Sequence, residues 1–336
     1  MQQHITLDHG SGGLASQELL FKYLLPFLNN SVLNELEDSA VISIGETKLA
    51  FTTDSYVVDP IFFPGGDIAR LAVNGTLNDL AMKGASPVCL SLGLILEEGL
   101  RLEEFERLSR SLAEAAEAAG IQVVTGDTKV VPHGKGDKIF INTSGIGVIH
   151  CEPVPSYHRI QPGDCILVSG TVGDHGITIL TSRSGLKLET STTSDTMPLH
   201  RLVAALLKEV KSGLHCMRDP TRGGLATTLT ELAGRSGWDF EIDEEAIPIH
   251  SSVASACEIL GFDPLYLANE GKCVVFVAPE HAEKTLQLMR SRHEGVSAAI
   301  IGRVMPEKNG RVILKTAIGG KRLLRPLTGE PLPRIC

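Results

Sequence analysis

The sequence lacks the features of several large protein classes. None of its apolar runs reaches the roughly 20 residues that a membrane-spanning helix needs. The first residues contain no basic stretch followed by an apolar one, so no secretory signal is predicted. The 31 lysines and arginines are outnumbered by 40 aspartates and glutamates, and they form no cluster that would neutralise nucleic-acid phosphates. We therefore expect a cytoplasmic protein that binds neither membrane nor nucleic acid.

Several chemical motifs are missing as well. The seven cysteines include no C-x-x-C pair and no zinc or disulfide spacing, so reduced thiols are expected. Six of them lie in apolar or mixed stretches, where a small buried side chain is the simplest interpretation. H-E-x-x-H and G-x-S-x-G do not occur, which leaves hydrolytic zinc and serine chemistry with little support. The common phosphate loops G-x-x-x-x-G-K-[ST] and G-x-G-x-x-G with a βαβ unit are also absent, so a nucleotide would bind by other means.

The length of the chain and the positions of its prolines indicate two domains and a tail. The 336 residues, with 34 glycines and 17 prolines, fit a loop-rich α/β protein of two ordinary domains. Three prolines in 151–163 disfavour continuous helix or sheet and mark the boundary. We assign a first domain to 1–150, a second to 160–321 and an extended, proline-rich tail to 322–336. Mixed sheets with helices on one face and doubly wound sheets remain equally open.

Hydrophobic periodicity predicts the elements of both domains. Strands are expected at 48–58, 88–96, 121–124, 139–149, 165–169, 273–278, 298–304 and 311–315. Helices are expected at 67–83, 101–119, 174–181, 199–210, 222–235, 251–260 and 279–292. The polar stretch 182–195 carries no recognisable motif, and a mobile surface loop is expected there.

Acidic residues recur at the ends of apolar or β-rich runs in the first half. They are Asp38, Asp54, Asp79 and Asp127. Carboxylates at the ends of strands and helices can converge on one point, and Mg²⁺ bound to phosphates is held by a few such oxygens. Each aspartate taken alone is better explained as a turn or cap residue, and only the four together indicate a metal site.

Glycine-rich turns accompany these acids. One contains Gly12 and Gly13, a second lies at 64–67, and a third follows Asp219 in the stretch RDPTRGG. Such turns let backbone amides approach a phosphate, especially before a helix. An ordinary loop is the alternative. Lys129 in GDTKVV and Glu270 in ANEGKCVV also stand beside glycines in apolar surroundings, although a surface charge and a solvated corner would explain them too.

The last residue of the sequence is a cysteine on a proline-rich arm. Cys336 follows the stretch PLPRI, and proline lowers the entropy lost when an arm is held extended in a groove. A thiolate is a strong nucleophile and carrier, and Arg334 is expected to favour the ionised form. A terminal cysteine without a role is the alternative.

Taken together, these motifs resemble the HypE family, the carbamoyl dehydratases of [NiFe]-hydrogenase maturation. The resemblance rests on HGSGG, EDSA, FTTDSYVVDPIFFPGGDIARLAVNGTLNDLAMKGA, VVTGDTKVV, SGTVGDHG, RDPTRGG, ANEGK and PLPRIC, in order along the whole chain. The N-D-x-A and G-D-T pieces are shared with aminoimidazole ribonucleotide synthetase (PurM), thiamine-phosphate kinase and selenide water dikinase. The PRIC ending is what singles out HypE.

The resemblance implies a PurM-like fold of two α/β domains with mixed sheets, in which the first domain pairs with its copy in a homodimer. It implies that ATP and Mg²⁺ bind in a cleft shared by the domains. Metal and phosphate positions fall by motif on Asp38, Asp54, Asp79 and Asp127, with Asp219 as a weaker candidate and the turn at Gly12 and Gly13 at the nucleotide.

The same resemblance implies a reaction and partners. ATP would drive the dehydration of an S-carbamoyl group on Cys336 to a thiocyanate, with Lys129 and Glu270 handling the carboxamide. HypF would deliver the carbamoyl group, and the cyanide would pass to iron held by HypC and HypD. Two alternatives remain: an ATP-dependent enzyme of this fold that acts on a free small molecule, and a non-catalytic nucleotide-binding scaffold. The sequence also leaves open whether the tail enters its own subunit's site or a neighbour's.

Overall fold

The computed structural model describes residues 4–10, 12–183, 190–329 and 334–336. Within these residues each half of the chain forms one large mixed sheet, and helices pack against both. The predicted fold class, two α/β domains with mixed sheets, is confirmed. No helix among the described residues combines the length and the hydropathy that crossing a membrane requires.

The first half of the chain forms a five-stranded sheet in the order β1-β2-β7-β5-β6. Its helices are α1 (Leu14–Leu19), α2 (Leu25–Leu28), α3 (Ile68–Met82) and α4 (Leu102–Ala119). Its strands are β1 (Ala40–Ile44), β2 (Thr47–Tyr56), β3 (Phe62–Phe63), β4 (Gly66–Asp67), β5 (Ala85–Glu97), β6 (Gln122–Val131) and β7 (Ile139–Ile149). Neighbouring strands of the sheet are antiparallel except β5 and β6, which are parallel, and β3 and β4 form a separate short hairpin.

The second half forms a seven-stranded sheet in the order β14-β13-β10-β12-β8-β11-β9. Its helices are α5 (Asp174–Ser182), α6 (His200–Val210), α7 (Gly224–Ser236), α8 (Ser251–Leu260) and α9 (Ala282–Arg290). Its strands are β8 (Cys165–Val168), β9 (Leu214–Arg218), β10 (Phe240–Asp243), β11 (Val274–Val277), β12 (Ala299–Val304), β13 (Val312–Lys315) and β14 (Lys321–Leu324).

Helix α3 is the central helix of the structure. Asp67 caps its first turn, because the carboxylate accepts hydrogen bonds from the backbone N–H groups of Ala69 (3.0 Å) and Arg70 (2.9 Å). Almost every residue of the helix is buried, which is typical of a helix covered on all sides rather than an amphipathic surface helix. The helix packs on the first sheet, on α4 and on elements of the second half, so it joins the two domains into one core.

The first sheet is covered on one face only. Paired residues of neighbouring strands point to the same side, so Phe51 and Ile146 share a face with Ile95, Asp127 and Lys129. Phe51, Ile95 and Ile146 are about 40% exposed there. We call this set of five residues the uncovered face. The opposite face packs on α3.

Three sequence predictions differ from the structure. The strand predicted to end at residue 124 continues to Val131 as β6, because its backbone pairs with β5 along the whole stretch. The predicted tail 322–336 begins inside β14, which pairs with β13, so the arm leaves the sheet only after Leu324. Residues 190–195 were predicted in a surface loop, but Thr192, Ser194 and Asp195 are buried, and 184–189 lie outside the described residues.

Candidate active site

A cavity of about 220 Å³ lies between the two halves of the chain. Its walls come from the start of β1, the end of β2, α3, the turn between β9 and α7, the turn before β11, and the end of the chain. The lining residues are Gly12, Asp38, Asp54, Ser55, Tyr56, Gly75, Asp79, Arg218, Asp219, Thr221, Arg222, Thr228, Glu231, Glu270 and Cys336.

Three carboxylates form a cluster in the cavity, of which Asp219 is buried and Asp38 and Asp79 are half-buried. One carboxylate oxygen each of Asp38, Asp79 and Asp219 lies within 4.8 Å of the others. Burial raises the pKa of Asp38 and Asp79 well above its usual range and that of Asp219 to about 6, and the negative charges of neighbouring carboxylates add to this. Three carboxylates that repel one another at this distance provide the ligand type and the charge that a divalent cation requires.

Neighbouring hydroxyls and a fourth aspartate complete this wall. The Thr52 hydroxyl donates to Oδ2 of Asp79 at 2.7 Å, and the Tyr56 hydroxyl donates to Oδ2 of Asp54 at 3.2 Å. Asp54 lies on β2 and lines the same cavity. These bonds fix the orientation of two carboxylates from the side of the protein and leave their remaining oxygens directed to the cavity.

Two arginines supply the positive charge among the described lining residues. Arg218, at the end of β9, lies 2.6 Å from Asp38 and 3.7 Å from Glu231, so its charge is already shared between two carboxylates. Arg222, in the turn before α7, donates to the Gly10 carbonyl at 3.3 Å. Its pKa is raised, and the largest cause is the negative charge at Cys336. Arg222 therefore has a favourable electrostatic interaction with the end of the chain.

Glu270 is a buried carboxyl group at the cavity wall. Its residue is 4% exposed, and burial raises the pKa of the carboxyl well above its usual range. The negative charges of Asp195, Asp219 and Asp54 raise it further, and Arg222 lowers it. A carboxylate that is costly to ionise is a strong proton acceptor once ionised, which is the property of a general base near neutral pH.

The backbone around Glu270 is held by a second buried carboxylate. Asp195 accepts hydrogen bonds from the N–H groups of Glu270 (3.1 Å) and Gly271 (3.3 Å), and its Oδ2 lies 3.2 Å from Nζ of Lys272. The Asn78 side chain donates to the Glu270 carbonyl at 3.2 Å. The backbone of Glu270 is thus held by α3 and by the segment 190–197.

The end of the chain enters this chain's own cavity. The backbone N–H of Val57 donates to the carbonyl oxygen of Cys336 at 3.0 Å, and the N–H of Asp59 donates to that of Arg334 at 3.3 Å. Ile335 is 5% exposed and belongs to the hydrophobic core. Cys336 follows it and lines the cavity together with the carboxylates. In this structure the tail therefore lies in the cavity of its own chain.

Comparison with known proteins identifies the family. Residues 36–149 match the N-terminal domain model of AIR synthase related proteins, and residues 161–315 match the C-terminal domain model. Carbamoyl dehydratase HypE of Azotobacter vinelandii is 48% identical over 332 residues, which cover 99% of this chain and 97% of that protein. This chain belongs to the HypE family of carbamoyl dehydratases.

Solved HypE structures have the same fold. A crystal structure of the hydrogenase maturation protein HypE in complex with ATP is 50% identical, with a TM-score of 0.83 over 99% of this chain and all of that one. The structure of a HypE–HypF complex aligns with a TM-score of 0.87 at 43% identity and covers 92% of this chain and 99% of that one.

The cavity gathers most of the residues that the HypE motifs indicated. Asp38, Asp54, Asp79, Asp219 and Glu270 line it together with Gly12 and Cys336. Gly13 directly precedes α1 as its N-cap, where an added Cβ would lie only 2.2 Å from the Leu327 carbonyl oxygen. Glycine is therefore required there by close packing of the backbone.

Two HypE motif residues lie elsewhere. Asp127 and Lys129 are about 70% exposed on the uncovered face and pair with each other, with Nζ 2.7 Å from Oδ2. Neither lines the cavity of this chain. The guanidinium of Arg334 binds the Val57 carbonyl (3.0 Å) and the Asp137 carboxylate.

Sequence reasoning missed several residues of this HypE site. Arg222 was present in the motif RDPTRGG, and its position before a helix in a glycine turn was the available signal. Arg218 lies in β9, a strand that periodicity did not detect. Asp195 lies in a stretch without a motif, so only its burial in the structure reveals that it holds the Glu270 turn.

Proposed function

We propose that this protein uses ATP to dehydrate an S-carbamoyl group on Cys336 to a thiocyanate, which supplies the cyanide ligand for the iron of a [NiFe]-hydrogenase. The observation that carries the proposal is the position of Cys336, which reaches the same buried cavity as Glu270 and the carboxylate cluster. A tethered substrate in that position reacts intramolecularly, which raises its effective concentration strongly. The membership of the HypE family agrees with this assignment.

The reaction balances with one ATP per cyanide. A thiocarboxamide does not lose water readily, because hydroxide is a poor leaving group. Transfer of the γ-phosphoryl group to the carbamoyl oxygen converts that oxygen into part of a phosphate, which leaves easily. Both nitrogen protons are removed, the C–O bond breaks and a C≡N bond forms. The products are the S-cyano form of Cys336, ADP and inorganic phosphate, and no oxidant or reductant is consumed.

Magnesium fits the carboxylate cluster. We propose that Asp38, Asp79 and Asp219, with Asp54 beside them, hold Mg²⁺ with the ATP phosphates. The support is the spacing of their oxygens and their raised pKa values, since a bound cation would relieve the repulsion among them. When bound, the ion neutralises the charge of the phosphates during phosphoryl transfer.

Glu270 is the proposed general base. It is buried at the cavity wall beside Cys336, and its turn is fixed by Asp195. Removal of a carboxamide proton requires a base that is ionised near neutral pH yet strongly basic, and the buried environment provides this property. Arg222 offsets part of the negative charge and is placed to orient the carbamoyl group.

A second copy of the chain is proposed to complete the site. Lys129 and Asp127 lie outside this chain's cavity, on the uncovered face with its exposed apolar side chains. Pairing of two such faces in a homodimer would bury Phe51, Ile95 and Ile146. It would also bring the two charged residues toward the partner's site, where Lys129 would stabilise negative charge on the substrate and Asp127 would join the metal or phosphate ligands.

The proposed partners follow from the reaction. A carbamoyl donor must reach the Cys336 sulfur, and we propose HypF for this step, in agreement with the solved HypE–HypF complex. We propose that the cyanide then passes to iron held by HypC and HypD. The cytoplasmic location of the protein stays a prediction.

ATP turnover tests the proposal against its main alternative. We expect that ADP release requires both the carbamoyl donor system and an intact Cys336 sulfur, so that Cys336→Ala abolishes it. Cys165→Ala, a half-buried cysteine on β8, is the matched control and is expected to keep full turnover. Undiminished turnover by Cys336→Ala with a small amide or acid would show instead an enzyme that acts on a free small molecule.

A further inference from the structure

The docked end of the chain contacts two walls, of which the first is an extended strand-like segment. Residues 334–336 run beside residues 57–59, where two backbone N–H groups donate to tail carbonyls and the Arg334 side chain returns a bond to the Val57 carbonyl. The two N–H contacts involve only the backbone of the tail and do not depend on its side chains. These backbone contacts place the tail, and on this wall only the Arg334 side chain depends on the tail sequence.

The second wall is helix α5, and His175 in its first turn makes the central contact. Its Nε2 lies 2.7 Å from the carbonyl oxygen of Ile335, and its Nδ1 lies 2.8 Å from Oγ of Ser194. The His175 ring is fully buried, and burial lowers its pKa, so the ring is neutral. A carbonyl can only accept, so the proton lies on Nε2 and the Ser194 hydroxyl donates to Nδ1.

The remaining contacts place the same helix along the tail. Arg183, directly after α5, donates to the carbonyl of Arg334 at 3.0 Å and to that of Asp59 at 3.1 Å. The Ile335 side chain packs into the core cluster that contains Ile177 and Ile179 of α5. His175 of α5 and Arg183 directly after it therefore bind two successive tail carbonyls, and α5 packs on the side chain of Ile335.

We propose that α5 is a receptor for the end of the chain, in which His175, oriented by Ser194, binds the Ile335 carbonyl and so holds the Cys336 sulfur in the cavity. His175 is a positioning residue, because it contacts the tail backbone and acts on the sulfur through it. That this contact positions the sulfur for the dehydration rests on the proposed function. The docking of the tail on α5 does not depend on that function.

This arrangement tolerates changes at the sulfur. The receptor contacts the carbonyls of residues 334 and 335 and the side chain of Ile335, all of which precede the reacting atom. A thiol, a carbamoyl thioester and a thiocyanate therefore present the same groups to α5. Each form can dock, and each must leave the receptor before a partner protein reaches its sulfur.

Thiol accessibility tests the receptor without any catalysis. The full-length protein, free of nucleotide, is treated with a bulky maleimide polymer, and modification of the C-terminal peptide is followed by mass spectrometry. His175→Leu removes the hydrogen bond to the Ile335 carbonyl and replaces the ring by an apolar side chain of similar size. We expect about tenfold faster modification of Cys336, the effect of losing one buried hydrogen bond. His175→Gln, whose amide can donate from nearly the same place, is expected to return the rate toward that of the wild type.

Two internal comparisons make the result decisive. Cys165, half-buried on β8, is modified in the same sample and is expected to react at the same rate in all variants. Ile335→Ala removes the apolar anchor from the tail itself and is expected to expose Cys336 even if the His175 variants fold poorly. An unchanged Cys336 rate in His175→Leu and Ile335→Ala would overturn the proposal, as would a uniform rise at both cysteines. Equal rates for the Leu and Gln variants would overturn the hydrogen-bond assignment.

Discussion

At the scale of single residues, the chemistry depends on how negative charge is distributed in a small volume. Six carboxylates and two guanidiniums are found among the described residues that line the cavity. Burial without compensation disfavours ionisation of the acids, which is why the pKa values of the cluster and of Glu270 are raised. The carboxylates of the cluster repel one another, and a bound cation would relieve this repulsion. The same environment makes the carboxylate of Glu270 more basic than usual.

Replacement of Glu270 by glutamine is predicted to separate chemistry from binding. The amide keeps the size of the side chain but removes the base, so we expect the rate of thiocyanate formation to fall by at least about 100-fold. ATP affinity and modification of Cys336 by maleimide are expected to stay as in the wild type. Glu280→Gln, at an exposed position, is the matched control. A Glu270→Gln variant that retains the full rate would remove Glu270 from the role of base.

The pH dependence of the unfolding free energy tests the repulsion among the clustered carboxylates directly. The pKa of Asp219 is raised to about 6, above that of an aspartate in the unfolded chain, so the folded state binds more protons and loses stability as pH rises through this range. Asp219→Asn removes the charge, so we expect the variant to melt at a higher temperature than the wild type at pH 8. The gain in unfolding free energy is expected to be at most about 3 kcal/mol. At pH 4 the two should melt alike.

Magnesium is expected to reverse that order. Added Mg²⁺ with ATP should raise the melting temperature of the wild type more than that of Asp219→Asn, because ligand binding to the folded state stabilises it and the variant lacks one ligand. Differential scanning calorimetry at pH 8 measures both effects. A wild type that is already more stable than the variant at pH 8 without magnesium would contradict the account of the cluster.

At the scale of elements, the strongly patterned parts of the fold followed from the sequence. Helix α4 was predicted nearly to its observed ends, because Gly120 adopts the left-handed conformation that ends a helix. Strand β9 was not predicted, since its sequence LHCMR is buried on both faces and shows no alternation. The extension of β6 was missed because pairing with β5, and not hydrophobicity, holds Asp127 and Lys129 in a strand.

The segment 190–197 shows what sequence patterns could not predict. Its polar composition is typical of a surface loop, yet Ser194 contacts the tail receptor and Asp195 holds the Glu270 turn. The partners in these two contacts, His175 and Glu270, lie 19 and 75 residues away in sequence, so no local pattern indicates them. The function of such residues is visible only once the partners are brought together.

Asp195→Asn is therefore predicted to act at a distance on catalysis. The carboxylate binds two backbone N–H groups at Glu270 and raises the pKa of the Glu270 carboxyl. We expect kcat to fall about tenfold through looser positioning, with KM for ATP little changed. Loss of the negative charge should also shift the acidic limb of the pH–rate profile to lower pH. A profile that does not move would mean that Asp195 is only structural.

At the scale of the whole molecule, one chain holds the tail, the carboxylate cluster and Glu270, but it leaves Lys129 exposed on the uncovered face. The sequence indicated Lys129 by its motif and could not indicate that its own chain would leave it outside the cavity. The proposed homodimer would resolve this, because a second subunit would supply Lys129 to the site of the first.

Mixing two inactive variants tests this division. Lys129→Ala keeps its own thiol and Glu270, whereas Cys336→Ala keeps Lys129. If Lys129 acts across the interface, a mixed dimer contains one complete site, and an equimolar mixture allowed to exchange subunits should recover about a quarter of the wild-type activity. Lys135→Ala, an exposed lysine in the following turn, should be active alone. A mixture that stays inactive after demonstrated exchange would place Lys129 in the site of its own chain or outside the mechanism.

The most direct test of the central claim is the mass of the C-terminal peptide. Protein carbamoylated on Cys336 is isolated, given magnesium and ATP, and digested, and the peptide that ends in Cys336 is weighed before and after. The account predicts that this peptide loses the mass of one water for each ATP consumed. A peptide that keeps its carbamoyl mass while ATP is hydrolysed, or a thiocyanate that forms on protein lacking the Cys336 sulfur, would contradict it.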